Sequence, residues 1–248
     1  MKSTAWIIGA SSGLGRQTAE SLAEKGFDVI LTSRNKRDLE ALSNHIQIKY
    51  KTNATVFVTD LEKLNTVKDS KILLDSLVNA NTFPSHCFML SGSIHQNDAH
   101  LEAIETLPSL LQNNFTGPVL LLNELIIRKT ENPLYIAVAS SVAASRARGK
   151  NIAYGTAKRA LEQYCSGLMH SLAETNTTIR IYRFGYMDTN LSYGQKLPFP
   201  AAKVNYIASA MIEGMQKGSG LFYLPRFWFL ISFILNMVPF AIYKKLKF

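Results

Sequence analysis

Tyr154 and Lys158 stand four residues apart in the run Asn151-Ile-Ala-Tyr154-Gly-Thr-Ala-Lys158. On a helix that spacing puts both side chains on one face. An ammonium near a phenol favours the phenolate, so Lys158 is expected to draw the Tyr154 pKa down from about 10. Such a tyrosine can give a proton to a carbonyl oxygen or take one from an alcohol. Ser140-Ser141 closes an apolar run shortly before this segment. A hydroxyl at the carboxyl end of a strand lies where open α/β sheets bind ligands. Asn113-Asn114 falls inside a long helical stretch, where Asn is unfavourable. The pair is expected either to cap a kink or to hold water near the site.

A second group of residues suits phosphate. Gly9-Ala10-Ser11-Ser12-Gly13-Leu14-Gly15-Arg16 follows an apolar run and leads straight into a helical one. Gly9 permits a tight turn, Gly13 lets the backbone approach a pyrophosphate, and Gly15 lets the helix pack against the sheet. The helix N-terminus then offers N–H donors and a positive dipole end. The next strand ends in Thr32-Ser33-Arg34-Asn35, with no acid to hold a ribose 2′-hydroxyl. A hydroxyl and a guanidinium at Ser33 and Arg34 suit a 2′-phosphate, so NADP(H) is expected over NAD(H), with Arg16 as a further candidate. Asp60-Leu61, after the third strand, places a carboxylate where an adenine amino group would lie. By itself Asp60 also reads as a strand-end turn residue.

These groups need a scaffold, and the hydrophobic pattern supplies one. Short apolar runs at 4–9, 28–33, 54–59, 87–91, 134–140, 178–184 and 221–224 alternate with helical patterns at 14–25, 36–49, 64–79, 101–128, 151–174 and 201–217. That alternation predicts βαβ units and a parallel sheet. Right-handed crossovers make it doubly wound, with helices on both faces. No internal repeat or flexible linker divides the chain. The organisation expected is one domain over 1–225 followed by an apolar tail over 226–248.

Gly9-x3-Gly13-x-Gly15, Asp60, Asn114-x-x-Gly117, Ser141 and Tyr154-x3-Lys158 together resemble the short-chain dehydrogenase/reductase family, over roughly residues 3–225. The resemblance implies one α/β Rossmann domain with a doubly wound, seven-stranded parallel sheet and an NAD(P) cofactor. It implies Tyr154 as general acid/base, Lys158 on the nicotinamide ribose, and Ser141 on the substrate oxygen. It implies Asn114 holding a relay water, and a homodimer or homotetramer with the Tyr-bearing helix in an interface. Cofactor contacts are expected from Gly9, Ser11, Ser12, Gly13, Leu14, Gly15, Ser33, Arg34, Asp60, Leu61, Gly92, Tyr154, Lys158 and Thr189. The chain departs from the family pattern at Ile8, at Leu90-Ser91-Gly92-Ser93 and at Phe184-Gly185. The stretch from Ser141 through Arg146 and Arg148 to Tyr154, with the Pro225…Pro239…Lys-Lys-Leu-Lys ending, is similar to a bacterial subgroup. That subgroup includes reductases of decaprenylphosphoryl keto-sugars. The implied substrate is a small-molecule carbonyl or alcohol, on a sugar or a lipid-linked, phosphorylated sugar, which Arg146 or Arg148 would meet at its phosphate. A generic 3-oxoacyl or small-carbonyl reductase and a non-catalytic NADP-binding protein are the alternatives.

Composition bounds the rest. Lys and Arg total 27 against 18 Asp and Glu, a formal charge of +9, yet no base-stacking or recognition motif supports nucleic acid as a partner. The 5 His lack metal-ligand spacing, so no metal is expected, and only His95 falls near the expected nicotinamide edge. Cys87 and Cys165 read as reduced core thiols, and no secretory signal is seen, so a cytoplasmic setting is expected. Phe227 to Val238 is nearly all apolar but short of the roughly 20 residues a membrane span needs. With Lys244, Lys245 and Lys247 beyond it, the tail is expected to dock on protein or to touch the inner face of a membrane.

Overall fold

The structure is a computed structural model that describes residues 3–11, 13–79, 83–94, 101–189 and 199–246. Seven parallel strands form one sheet in the order β3-β2-β1-β4-β5-β6-β7. They are β1 (Thr4–Ile8), β2 (Asp28–Ser33), β3 (Ala54–Val58), β4 (His86–Met89), β5 (Leu134–Ser141), β6 (Thr177–Phe184) and β7 (Gly220–Leu224). The expected doubly wound α/β architecture is what the chain adopts. The central strands are apolar on both faces because both faces are covered. In β1, Ala5 and Ile7 enter one core, while Trp6 and Ile8 enter the other.

On the first face lie α1 (Gly13–Glu24), α2 (Lys36–Tyr50) and α7 (Val204–Gly214). On the second lie α3 (Val67–Asn79), α5 (Gly117–Ile127) and α6 (Ile152–Ser171). Asn35 caps α2, its side chain accepting from the Asp38 N–H at 3.2 Å. The strand order reverses between β1 and β4, so a crevice opens at the carboxyl ends of those two strands.

One expectation needs correction. The helical stretch expected over 101–128 is not continuous. It runs as a 3₁₀ turn (Leu101–Thr106), α4 (Leu107–Leu111), a π turn (Gln112–Thr116) and then α5. The polar pair Asn113-Asn114 sits in the π turn, whose wider ring releases main-chain groups that side chains then satisfy. Beyond β7 the tail forms α8 (Trp228–Met237) and α9 (Phe240–Tyr243), divided at Pro239, whose ring cannot continue α8.

Candidate active site

The glycine loop joins β1 to α1 at the sheet's switch point. The N–H groups of Gly9 and Ala10 both donate to the Thr32 carbonyl, at 2.7 and 3.1 Å, fixing the loop to the end of β2. Gly9 takes φ +94°. A Cβ there would lie 2.8 Å from the Ser91 nitrogen, and one on Gly15 would penetrate the Gly9 carbonyl oxygen. The first turn of α1 therefore lies directly on the end of β1, and its N-terminus faces the crevice. A Cβ on Gly13 would meet Thr189 Cγ2 at 3.4 Å, so the segment after β6 reaches over the loop. Leu14 and Leu61 bury their side chains in the cores, which leaves only main-chain groups for a ligand there. Ser12 and His95 lie outside the described residues.

At the tip of β2, Arg34 is exposed and the Ser33 hydroxyl accepts from the Asn35 N–H at 3.2 Å. The tip residues Thr32-Ser33-Arg34-Asn35 include no acid, which fits a 2′-phosphate over a bare ribose hydroxyl, and the Asp38 carboxylate one turn into α2 is engaged by Asn35 Nδ2 at 2.6 Å. Arg16 does not join this group; it pairs with Glu20 at 3.2 Å one turn along the exposed face of α1. Asp60 caps the short turn Leu61–Lys63, accepting from the Glu62 N–H at 3.1 Å.

Deeper in the crevice, four polar side chains from three segments converge. Asn114 is fully buried; its Nδ2 donates to the carbonyls of Ser93 (2.9 Å) and Leu110 (3.0 Å). The Ser93 N–H returns a bond of 3.3 Å to Asn114 Oδ1. Lys158 is buried too, and its Nζ donates to the carbonyls of Ala139 (3.0 Å) and Ser91 (3.4 Å). A Cβ on Gly92 would stand 2.8 Å from Asn114 Oδ1 and 3.1 Å from Lys158 Nζ, so both groups border that glycine. Ser141 ends β5, its hydroxyl accepting from the Ala143 N–H at 3.1 Å, and it shares a hydrogen bond with the Tyr154 phenol.

Burial draws the Lys158 ammonium down to about 8, against the opposing pull of the Glu162 carboxylate. The expected fall in the Tyr154 pKa is not found. Burial raises it, and the Ser141 hydrogen bond and the Arg148 charge only partly offset that. Lys158 Nζ lies 6.0 Å from the Tyr154 ring centre and is engaged by main-chain carbonyls. Tyr154 therefore keeps its proton at neutral pH, beside a lysine that can exchange one.

Two features were not read from the sequence. Behind Lys158, the buried Glu162 accepts from Ser140 Oγ (2.6 Å) and from Arg183 Nε (2.7 Å) and Nη2 (2.6 Å). This buried ion pair fastens α6 to β5 and β6. The available signal was Arg183 inside an apolar strand, a charge that must find a partner. The second feature is that Arg146 and Arg148, in one recess, make different contacts. Arg146 stacks 3.8 Å from the Tyr243 ring centre and donates to the Leu235 carbonyl, so it holds the tail. The Arg148 charge reaches Tyr154, and its Nε is buried with no partner among the described residues. Both line a recess closed by Trp228, Ile231 and Leu235 of α8. A Cβ on Gly185 would overlap the Trp228 indole, so the tail rests directly on the end of β6.

Comparison with known proteins follows the same outline. The family model described as short chain dehydrogenase matches residues 3–196. An uncharacterized oxidoreductase of Staphylococcus saprophyticus is 26% identical over 194 residues, covering 75% of this chain and 79% of that one. A dehydrogenase/reductase SDR family protein 7-like of Anopheles gambiae is 30% identical over 202 residues, covering 75% of this chain and 59% of that one. Among solved structures, a short-chain dehydrogenase from Sphingobium yanoikuyae in complex with NADPH superposes with a TM-score of 0.80 at 19% identity. That superposition covers 96% of this chain and 97% of the other.

Proposed function

Because the chain belongs to the short-chain dehydrogenase family, we propose that it is an NADP(H)-dependent oxidoreductase that reduces a ketone to an alcohol. The observation that carries this is the hydrogen-bonded Ser141–Tyr154 pair, with Lys158 one helical turn along, at the crevice beside the glycine loop. The Gly9–Gly15 loop and the N-terminus of α1 would hold the pyrophosphate, and Ser33 and Arg34 the 2′-phosphate. Asp60, Leu61, Gly92 and Thr189 would border the rest of the dinucleotide. When bound, the cofactor supplies a hydride to the carbonyl carbon. Ser141 orients the substrate oxygen, and Tyr154 gives that oxygen its proton, which yields the alcohol. The raised Tyr154 pKa suits this direction, because the acid must arrive protonated. Lys158 and Asn114, both bordering Gly92, return a proton to Tyr154 through water.

For the substrate we propose a ketone on a sugar that carries a phosphate or a phosphate-linked lipid. The unpartnered Arg148 Nε beside Tyr154 supports an anionic group there. The apolar wall of Trp228, Ile231 and Leu235 favours the second reading, a 3-oxoacyl or small-carbonyl reductase. By family likeness the chain works as a homodimer or homotetramer.

NADPH oxidation across neutral, phosphorylated and acyl ketones tests this proposal and separates the two substrates. Tyr154→Phe is expected to lower kcat by roughly 10²–10⁴ while NADPH affinity changes less than about twofold. Undiminished turnover in that variant excludes the proposed acid.

A further inference from the structure

We infer that α8 and α9 form an interfacial anchor that lies in the surface of an anionic bilayer. The inner side of α8 is occupied by the body of the protein. Trp228 and Ser232 are buried, Asn236 Nδ2 donates to Ser145 Oγ at 2.9 Å, and the Tyr243 hydroxyl donates to the Ala147 carbonyl at 2.9 Å. The outer side has no such cover. Phe229, Leu230, Phe233, Ile234 and Met237 are 53–70% exposed, and Phe240 and Ile242 extend the patch at 72% and 56%. Their spacing places the α8 residues on one stripe facing away from the sheet. Large contiguous apolar surface of this kind marks an interaction site.

Length and charge identify the occupant. Ten residues of helix rise about 15 Å, half of a hydrocarbon core of about 30 Å, and no helix among the described residues is long and apolar enough to cross a membrane. The anchor therefore lies along a surface. Arg226 before α8 and Lys244 and Lys245 after α9 are exposed, and no Asp or Glu follows Glu213 in the sequence. A second copy of the tail would bring its cations to cations, and the tail itself holds no acid to meet them. Anionic headgroups meet them directly, while the aromatic and aliphatic side chains enter the acyl boundary. The recess under Trp228 and Leu235 then lies next to the lipid, where a lipid-linked substrate would reside. The anchor itself does not depend on the proposed reaction.

Vesicle co-sedimentation reads the anchor, and NADPH oxidation with a water-soluble ketone reads the chemistry separately. The full chain is expected to pellet roughly tenfold better with phosphatidylcholine vesicles containing about 30% phosphatidylglycerol than with phosphatidylcholine alone. Half-molar salt is expected to erase most of that preference. The combined variant Leu230→Ser, Phe233→Ser, Met237→Ser changes only exposed positions. It is expected to lose binding by roughly tenfold or more, with its soluble-ketone turnover and its circular-dichroism melt unchanged. Lys244→Gln with Lys245→Gln is expected to lower the anionic preference alone. Failure to pellet with anionic vesicles, or equal pelleting by the triple variant, overturns the inference. So does a concentration-dependent dimer that the triple variant dissolves while vesicle binding stays absent, since the face would then cover a second copy.

Discussion

On the β1 side the crevice around Tyr154 is made by leaving side chains out, and on the α8 side by putting large ones in. Gly9, Gly15 and Gly92 sit where any Cβ would collide with main chain or with Asn114, so that wall is held by backbone contacts. The recess on the α8 side is lined by Trp228, Ile231 and Leu235 with Arg146 and Arg148, and the Arg148 charge links it to Tyr154. A wall of backbone tolerates almost no change, because the atoms it would displace belong to the sheet. A wall of side chains on a terminal helix is free to vary in size and charge without disturbing the strands. Under the proposed function, the glycine wall would govern cofactor entry and the α8 side would govern the choice of substrate.

Gly15→Ala tests the rigid wall most severely. Its Cβ would enter the Gly9 carbonyl, so α1 must lift off β1. We expect about 3 kcal/mol of lost stability, roughly 6–12 °C in Tm, read by thermal melting. NADPH affinity should fall with it; an unshifted melt would mean that this wall yields and that the contrast is false. Arg34→Ala acts at the rim of the same wall without touching its backbone. NADPH affinity should fall roughly tenfold and NADH affinity should not change, as titration of both cofactors would show. Equal losses for the two would remove the 2′-phosphate assignment. Arg148→Gln probes the variable wall and should be the mildest. KM for phosphorylated ketones should rise by about three- to fivefold, with neutral ketones unaffected. A matching loss on neutral ketones would show that Arg148 serves Tyr154 and not the substrate.

The contrast also explains what could be read from the residues alone. The sheet, the glycine loop and the Tyr154–Lys158 spacing are local patterns of apolar period and turn chemistry, and each is visible within about 20 residues. Glu162 and Arg183 lie 21 residues apart and meet only when α6 lands on β6. Arg183 stands out as a charge inside an apolar strand, but nothing near it in the sequence names Glu162 as the partner. Arg146 and Arg148 are equivalent as text, and the fold alone stacks Arg146 on Tyr243 and lets the Arg148 charge reach both Tyr154 and Tyr243. The Tyr154 pKa went the other way for the same reason: spacing shows that two groups share a face, but not how far burial desolvates them.

The chain has 2 Trp, and their placements differ. Trp6 is locked inside the sheet, its indole donating to Thr32 Oγ1 at 2.8 Å, whereas Trp228 lies at the seam between Gly185 and the tail. Fluorescence from the first is a constant background, and emission from the second is an intrinsic optical gauge of the contact between the tail and Gly185. Replacing Trp6 by Phe would leave a single-tryptophan protein whose spectrum follows the tail without any attached dye.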